Sequence, residues 1–306
     1  IFQLELAHYF LLYIHRDFAV YFIILKISKT LLNMQQSQRR TILITGANKG
    51  IGYVTVERFL SEPTPYDIIL TSRDVKLGEK ALATLQSKYP KSSSTLTYHQ
   101  LDVNNDENVD SLIEWIRKSN KKIDVLINNA GVLYHNSTDE QKRLTIKTNF
   151  FSVVKLTEKI IPFLPDDGKV LQVSSILGQL SFQGATLREA LTDPKLTEAK
   201  LHDIANRIIE LTPDYKPHGP ADESSYPASK ALLNFYVKDF LPAKLKENQQ
   251  AYAIHPGWIK TDMGGEEAPG ALEEGADTIA YLTSLPFKKN PELNASLIGD
   301  RKLMEF

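Results

Sequence analysis

"TILITGANKGIG", Thr41 to Gly52, runs an apolar stretch straight into three glycines, Gly46, Gly50 and Gly52, spaced four and then two apart. Thr41–Thr45 reads as a strand and Ile51–Leu60 as the helix that follows, so the glycines fall on a strand-to-helix turn. At such a turn the backbone can approach a ligand closely, and the helix N–H groups face an anion. The spacing is not GxGxxG, and a Walker loop needs Gly-Lys followed by Ser or Thr, whereas Lys49 precedes Gly50. On this stretch alone a plain tight connection stays open beside a nucleotide-binding turn.

Outward from the turn, short β-branched runs alternate with helical patterns. The runs are 41–45, 67–71, 96–103, 123–128, 168–174, 250–255 and 295–299. Near-continuous apolar strands separated by helices predict a parallel sheet covered on both faces. Between them, "NDENVDSLIEWIRKS" places Val109, Leu112, Ile113 and Ile116 at helical spacing, with acidic residues crowding the first turn. No repeat, low-complexity tract or linker interrupts the pattern. The fold class expected is a single doubly wound α/β (Rossmann) domain with about seven strands, spanning 34–306.

The 306 residues are 42% hydrophobic, 24% charged and 9% aromatic, with a formal net charge of -1. Lys and Arg are spread along the chain, which argues against a nucleic-acid binder. The absence of cysteine excludes disulfides, thiolate catalysis and Cys-ligated zinc, and no metal-ligand spacing occurs among the seven histidines. Residues 1–33 form a hydrophobic leader broken by His15, Arg16 and Asp17. Its uncharged run Phe18–Leu25 is far below the roughly 20 residues that span a bilayer, and no cleavage site follows. The simplest reading starts translation at Met34 and leaves the leader outside the fold; a membrane-associating anchor and an ordinary packed helix stay open. The expected location is cytoplasmic, with the sequons at Asn136 and Asn294 read as ordinary loop residues.

Further motifs follow in order: "NNAG" at Asn128–Gly131, "KTNF" at Lys147–Phe150, "VSSILG" at Val173–Gly178, "YPASK" at Tyr226–Lys230 and "HPGWIKTDM" at His255–Met263. With "TGANKGIG" they resemble the hallmarks of the short-chain dehydrogenase/reductase family from about Arg40 onward. Within it the chain is most similar to the monomeric NADPH carbonyl reductases. The resemblance implies that Gly46, Gly50 and Gly52, with Asn48 and Ile51, line a cofactor pyrophosphate. It also implies that Asp102 and Val103 meet the adenine, that Asn129, Ala130 and Gly131 shape the sheet beside the cofactor, and that Pro256, Gly257, Ile259 and Thr261 hold the nicotinamide carboxamide.

The choice of cofactor follows from charge. An NAD enzyme grips the ribose 2′-hydroxyl with a carboxylate after the second strand, and that carboxylate repels a 2′-phosphate. Here "DIILTSRD" offers Arg73, whose guanidinium suits a phosphate, and Lys49 adds a second positive charge; Asp74 is the complication. A surface ion pair for Arg73 stays open. The expected cofactor is NADPH/NADP, with no metal.

Tyr226 and Lys230 lie four apart on a predicted helix and project from one face. A nearby ammonium favours phenolate and so lowers the tyrosine pKa toward working pH. Ser175 ends the fifth strand, where parallel sheets place their ligands, and can stabilise a developing oxyanion. It is preferred over Ser174 because the family's serine precedes xxG, here Gly178. By resemblance Asn149 bridges through water to Lys230, which also holds the nicotinamide ribose. The catalytic set is therefore Asn149, Ser175, Tyr226 and Lys230. Trp258 is a candidate wall of the substrate pocket, with plain packing as the alternative. His255 takes no role.

Ser175 and Tyr226 are 51 positions apart, which leaves an insert at 182–224. It contains a helical pattern, Leu201, Ile204, Ala205 and Ile208, and closes on Pro213, Pro217 and Pro220. In the carbonyl reductases a similar insert covers the tetramer-forming surface, so a monomer is expected. The function expected is NADPH-dependent reduction of a ketone, aldehyde or quinone. An NADP-linked alcohol or hydroxysteroid dehydrogenase, and a non-catalytic NADPH sensor, stand as alternatives.

Overall fold

A computed structural model of the chain describes residues 39–135, 137–210, 225–286 and 291–306. The leader at 1–33, the sequon at Asn136 and the three insert prolines lie outside the described residues. Arg40 to Phe306 forms one compact unit. In chain order its main elements are β1 (Arg40–Ile44), α1 (Gly50–Ser61), β2 (Tyr66–Ser72), α2 (Val75–Lys88), β3 (Thr95–Gln100), α3 (Asp106–Lys118) and β4 (Val125–Asn128). Then come α4 (Asp139–Ile146), a π turn (Lys147–Ser152), α5 (Val153–Ile160), β5 (Lys169–Val173), α6 (Ala185–Thr192) and α7 (Glu198–Ile209). The chain ends with α8 (Tyr226–Phe235), β6 (Gln250–His255), α9 (Leu272–Ser284), β7 (Ser296–Gly299) and β8 (Lys302–Met304).

The sheet order is β3-β2-β1-β4-β5-β6-β7-β8, with the first seven strands parallel. The order reverses between β1 and β4, and ligands of open α/β sheets bind outside the carboxyl ends of strands at such a point. Alternation along the strands divides the core. Leu43, Ile69, Leu126, Val170, Ala251 and Leu297 face one way, against α3, α5, α7 and α8. Ile42, Ile44, Ile68, Leu70, Ile127, Leu171 and Ile254 face the other way, against α1, α2 and α9. Two covered faces explain why the strands read as unbroken apolar runs.

Local chemistry sets the helix ends. Asn105 caps α3 by accepting from Asn108 N at 3.0 Å, with Asp106 and Glu107 in the first turn and Arg117 and Lys118 in the last. All four residues of its expected apolar face are buried. In the insert, α7 buries the expected Leu201, Ile204, Ala205 and Ile208, while α6, carrying Leu187 and Leu191, has no counterpart in the sequence reading. The rings of Phe150 and Phe151 each lie 5.5 Å from His202, which seats α7 on the π turn. Asn294 sits in a turn and accepts from Ala251 N at 2.9 Å.

One expectation needs correction. The run 96–103 leaves the ladder at Gln100, and Leu101 and Val103 are buried in the segment beyond it. The parallel sheet has the seven strands expected, and an eighth, β8, is added where the chain folds back antiparallel on β7. Asp300 and Arg301 link these two strands with φ of 47° and 60°, a hairpin turn that normally signals itself with glycine or asparagine. Arg301 is held in this conformation by its side chain's bonds to both carboxylate oxygens of Asp277 and by its N–H, which donates to Thr278 Oγ1 at 3.2 Å.

Lys169, fully buried at the start of β5, donates from Nζ to the carbonyls of Leu282 and Leu285 at 2.6 Å each and so caps the C-terminus of α9. Replacing it by methionine leaves those acceptors unpaired, and urea denaturation should show a loss of about 1–3 kcal/mol.

Candidate active site

The glycine turn after β1 is built from φ values that side chains avoid. Gly46 has φ +64° and Gly50 φ +59°. Gly52 serves close approach instead: a Cβ there would lie 2.5 Å from Asn129 Nδ2 and 2.9 Å from Gly46 O. That space is taken by the Asn129 amide, which donates to Thr45 O at 2.9 Å and Gly46 O at 3.0 Å. Thr45 Oγ1 accepts from Asn129 N at 3.0 Å and Ala130 N at 2.9 Å. The "NNAG" segment is therefore clipped onto the turn from the β4 side.

The turn suits an anionic ligand. Lys49 stands at the N-cap of α1 without a capping side chain, and the first turn contains no acidic residue. A Cβ built on Gly50 would meet only Thr261 Cγ2, at 3.7 Å, so the loop after β6 comes close to the glycine turn at this point. Asn48 and Ile51 are half-buried on this rim. These features fit the diphosphate of a dinucleotide on the helix N–H groups.

The charges at the end of β2 sort themselves. Arg73 is exposed and enters no ion pair among the described residues. Asp74 accepts from Leu77 N at 2.8 Å as the cap of α2, so its carboxylate is turned into the helix. Lys49 reaches across to Asp262 at 2.6 Å, and this partner holds the Asp262 carboxyl below the usual range. At the third strand, Asp102 Oδ1 accepts from Asn104 N at 2.9 Å, and Val103 is buried. Asn104 in turn donates to Thr148 Oγ1 at 2.9 Å and accepts from Ser152 Oγ at 2.7 Å, tying that loop to the π turn.

The four expected catalytic residues converge at the carboxyl ends of β4 and β5. Ser175 follows β5, accepts from Leu177 N at 3.1 Å and shares a hydrogen bond with the Tyr226 phenol. Tyr226 opens α8, and Lys230, one turn on, has Nζ 5.5 Å from the Tyr226 ring centroid. That Nζ donates to Val173 O at 2.8 Å. Asn149 is fully buried in the π turn, its side chain engaged with Val132 and Ser229 rather than aimed at Lys230. Ser174 is distinguished from Ser175 by its surroundings, because its hydroxyl donates to Asn234 Oδ1 at 2.6 Å in the interior.

Burial governs the ionisation here. It pushes the Tyr226 phenol up to about 12, against a smaller opposing pull from the Ser175 hydrogen bond. It brings Lys230 down to about 7. The direction for Tyr226 is opposite to the one that its spacing from Lys230 suggests, because a buried site disfavours phenolate and ammonium alike.

Beyond β6, Gly257 takes φ +94° and Ile259 is buried. Thr261 Oγ1 accepts from Gly264 N at 2.9 Å. Trp258 is 57% exposed and donates from Nε1 to Gly264 O at 2.8 Å, so it is not a packing residue. It lines an open cleft of about 190 Å³ with Pro256, Glu274 and Asp300, and neither Ser175 nor Tyr226 borders that cleft. Burial lowers the His255 pKa, and its Nδ1 is enclosed without a hydrogen-bond partner. Asn104, Ser229, Asn234 and Asp262 were not singled out by the sequence reading, since each gains its place only through partners distant in the chain.

Comparison with known proteins bears on the family and the fold. The family described as short chain dehydrogenase matches residues 40–187. Carbonyl reductase (NADPH) 3 of Rattus norvegicus is 33% identical over 81% of this chain and 91% of its own length. Carbonyl reductase (NADPH) 1 of Sus scrofa is 32% identical over 88% and 95%. Among solved structures, salutaridine reductase from Papaver somniferum superposes with a TM-score of 0.73 at 25% identity, covering 86% of this chain and all of that one. The NADPH-bound carbonyl reductase from chicken fatty liver shares the fold, with a TM-score of 0.64 at 23% identity over 88% and 94%.

The buried lysine has a consequence for stability. Its pKa lies near 7 when folded and near 10.5 when unfolded, so between those values the unfolded chain binds the extra proton and stability rises with pH. Thermal unfolding should therefore show the parent gaining stability relative to Lys230→Met as the pH goes from 6 to 10.

Proposed function

Because this chain belongs to the short-chain dehydrogenase family of NAD(P)-linked oxidoreductases, we propose that it reduces a carbonyl compound, a ketone, aldehyde or quinone, to the alcohol with NADPH. One observation carries the reading: a buried, protonated Tyr226 phenol bonded to Ser175, beside Lys230. Burial keeps this phenol in the acid form at neutral pH, the form from which a proton can be given to a substrate oxygen. The names of the similar reductases point the same way.

In this proposal NADPH, when bound, supplies the hydride for the carbonyl carbon. Gly46, Gly50 and Gly52, with Asn48 and Ile51, receive the diphosphate on the α1 N–H groups. Arg73 takes the 2′-phosphate, and Lys49 joins it by exchanging Asp262 for the stronger anion. Asp74, committed to its helix, does not oppose them. Asp102 and Val103 would border the adenine, Asn129 to Gly131 would shape the sheet beside the cofactor, and Pro256, Gly257, Ile259 and Thr261 would hold the carboxamide. Ser175 donates to the substrate oxygen as charge builds there, and Tyr226 transfers its Oη proton to that oxygen. Lys230, losing its charge readily at neutral pH, passes a proton on toward Tyr226. The insert helices α6 and α7 cover α4 and α8, which supports a monomer.

The test is cofactor oxidation by the purified protein with NADPH and NADH side by side, against quinones, aromatic ketones and aliphatic aldehydes. Turnover should favour NADPH, and Tyr226→Phe should lower kcat by about 10²–10⁴ with cofactor binding retained. Arg73→Ser should raise the KM for NADPH and leave that for NADH unchanged. Preference for NADH, or NADPH binding without any turnover, would overturn the reading.

A further inference from the structure

Ser229 lies three residues after Tyr226 on α8 and is fully buried. Its hydroxyl donates to Tyr226 O at 2.7 Å. A helical serine bonding the carbonyl one turn back is ordinary and local. What sets this one apart is that its oxygen also accepts from Asn149 Nδ2 at 3.1 Å, a contact between segments 80 residues apart.

The Asn149 amide is fully engaged. Nδ2 donates its other hydrogen to Val132 O at 2.9 Å, and Oδ1 accepts from Val132 N at 2.9 Å. Val132 sets which way round the amide sits, and because the Ser229 proton is committed to Tyr226 O, the Ser229 oxygen accepts the remaining Asn149 N–H in that same orientation. Gly131 threads the gap beside it: a Cβ there would lie 3.2 Å from Asn149 Oδ1 and 3.9 Å from Lys230 Nζ. A rotation of the amide would therefore move the backbone strip that faces Lys230.

We propose that Ser229 is a positioning residue: through one hydroxyl it locks the loop after β4, the π turn carrying Asn149 and the first turn of α8 into a single frame around Tyr226 and Lys230. The kinetic consequence rests on the carbonyl reduction proposed above; the structural lock does not. Without the hydroxyl one Asn149 N–H is left buried and unpaired. The loop and the helix can then drift relative to each other, and misplacement by about 1 Å costs up to about a hundredfold in rate.

The test compares Ser229→Ala and Ser229→Cys with the parent, alone and combined with Asn149→Ala. Cysteine keeps the volume but accepts a hydrogen bond weakly. Both single variants should lose about ten- to a hundredfold in kcat, with NADPH affinity by fluorescence titration unchanged within about twofold. Adding either to Asn149→Ala should cost nothing further, in kcat or in the urea midpoint. A parent-like kcat in Ser229→Cys, or additive losses in the urea midpoint, would overturn the proposal. If the parent turns over no carbonyl, the functional reading fails by itself, and the urea midpoints of the cycle decide the lock alone.

Discussion

The Asn129 side chain, clipped to the carbonyls of Thr45 and Gly46, is the contact on which the site is built. It closes the gap between β1 and β4, where the sheet reverses its order and opens a crevice at its carboxyl edge. The clip needs three things at once. Gly46 must take a positive φ, Thr45 must offer its hydroxyl to two backbone N–H groups, and residue 52 must have no side chain, since a Cβ would occupy the position of the amide. Once closed, it fixes the start of α1 relative to the loop that runs on through Gly131 to Val132, and Asn149 holds the far end of that loop.

From there a chain of buried polar contacts spreads outward. Val132, Asn149, Ser229 and the Tyr226 carbonyl form one line, and Asn104, Thr148 and Ser152 form another from the π turn to the Asp102 loop. The wide turn at Lys147–Ser152 makes both lines possible, because it interrupts the α4–α5 ladder and presents side chains to two neighbours. The Asn149–Ser229 and Ser229–Tyr226 contacts are fully buried, so losing either partner carries the desolvation cost of the group left behind.

The same enclosure gives the reacting pair its character. Tyr226 and Lys230 are both pushed toward their neutral forms: burial of Lys230 strains the folded state at low pH, and burial of Tyr226 keeps its phenol protonated at neutral pH. Such a trade of stability for chemistry is expected where a site must exclude water. At the opposite edge of the sheet Lys169 is buried for another reason, to satisfy the carbonyls at the end of α9.

What the sequence by itself determined was everything written in local pattern. Parallel pairing follows from apolar runs alternating with amphipathic helices, and Val109, Leu112, Ile113 and Ile116 could be assigned to the core from spacing alone. Tyr226, Lys230 and Ser175 were legible as candidates because their short motifs, in order along the chain, resemble those of the family. Tertiary structure decided the rest. It spent Asp74 on a helix cap and left Arg73 open, paired Lys49 with Asp262, turned the Asn149 amide toward Val132 and Ser229, and reversed the expected pKa direction of Tyr226. It also added β8 through a turn without glycine, held by an arginine bonded to the preceding helix. The physical reason is common to these cases: a hydrogen-bond partner, or the loss of water around a charge, is a property of residues brought together from distant parts of the chain, and no local periodicity records it.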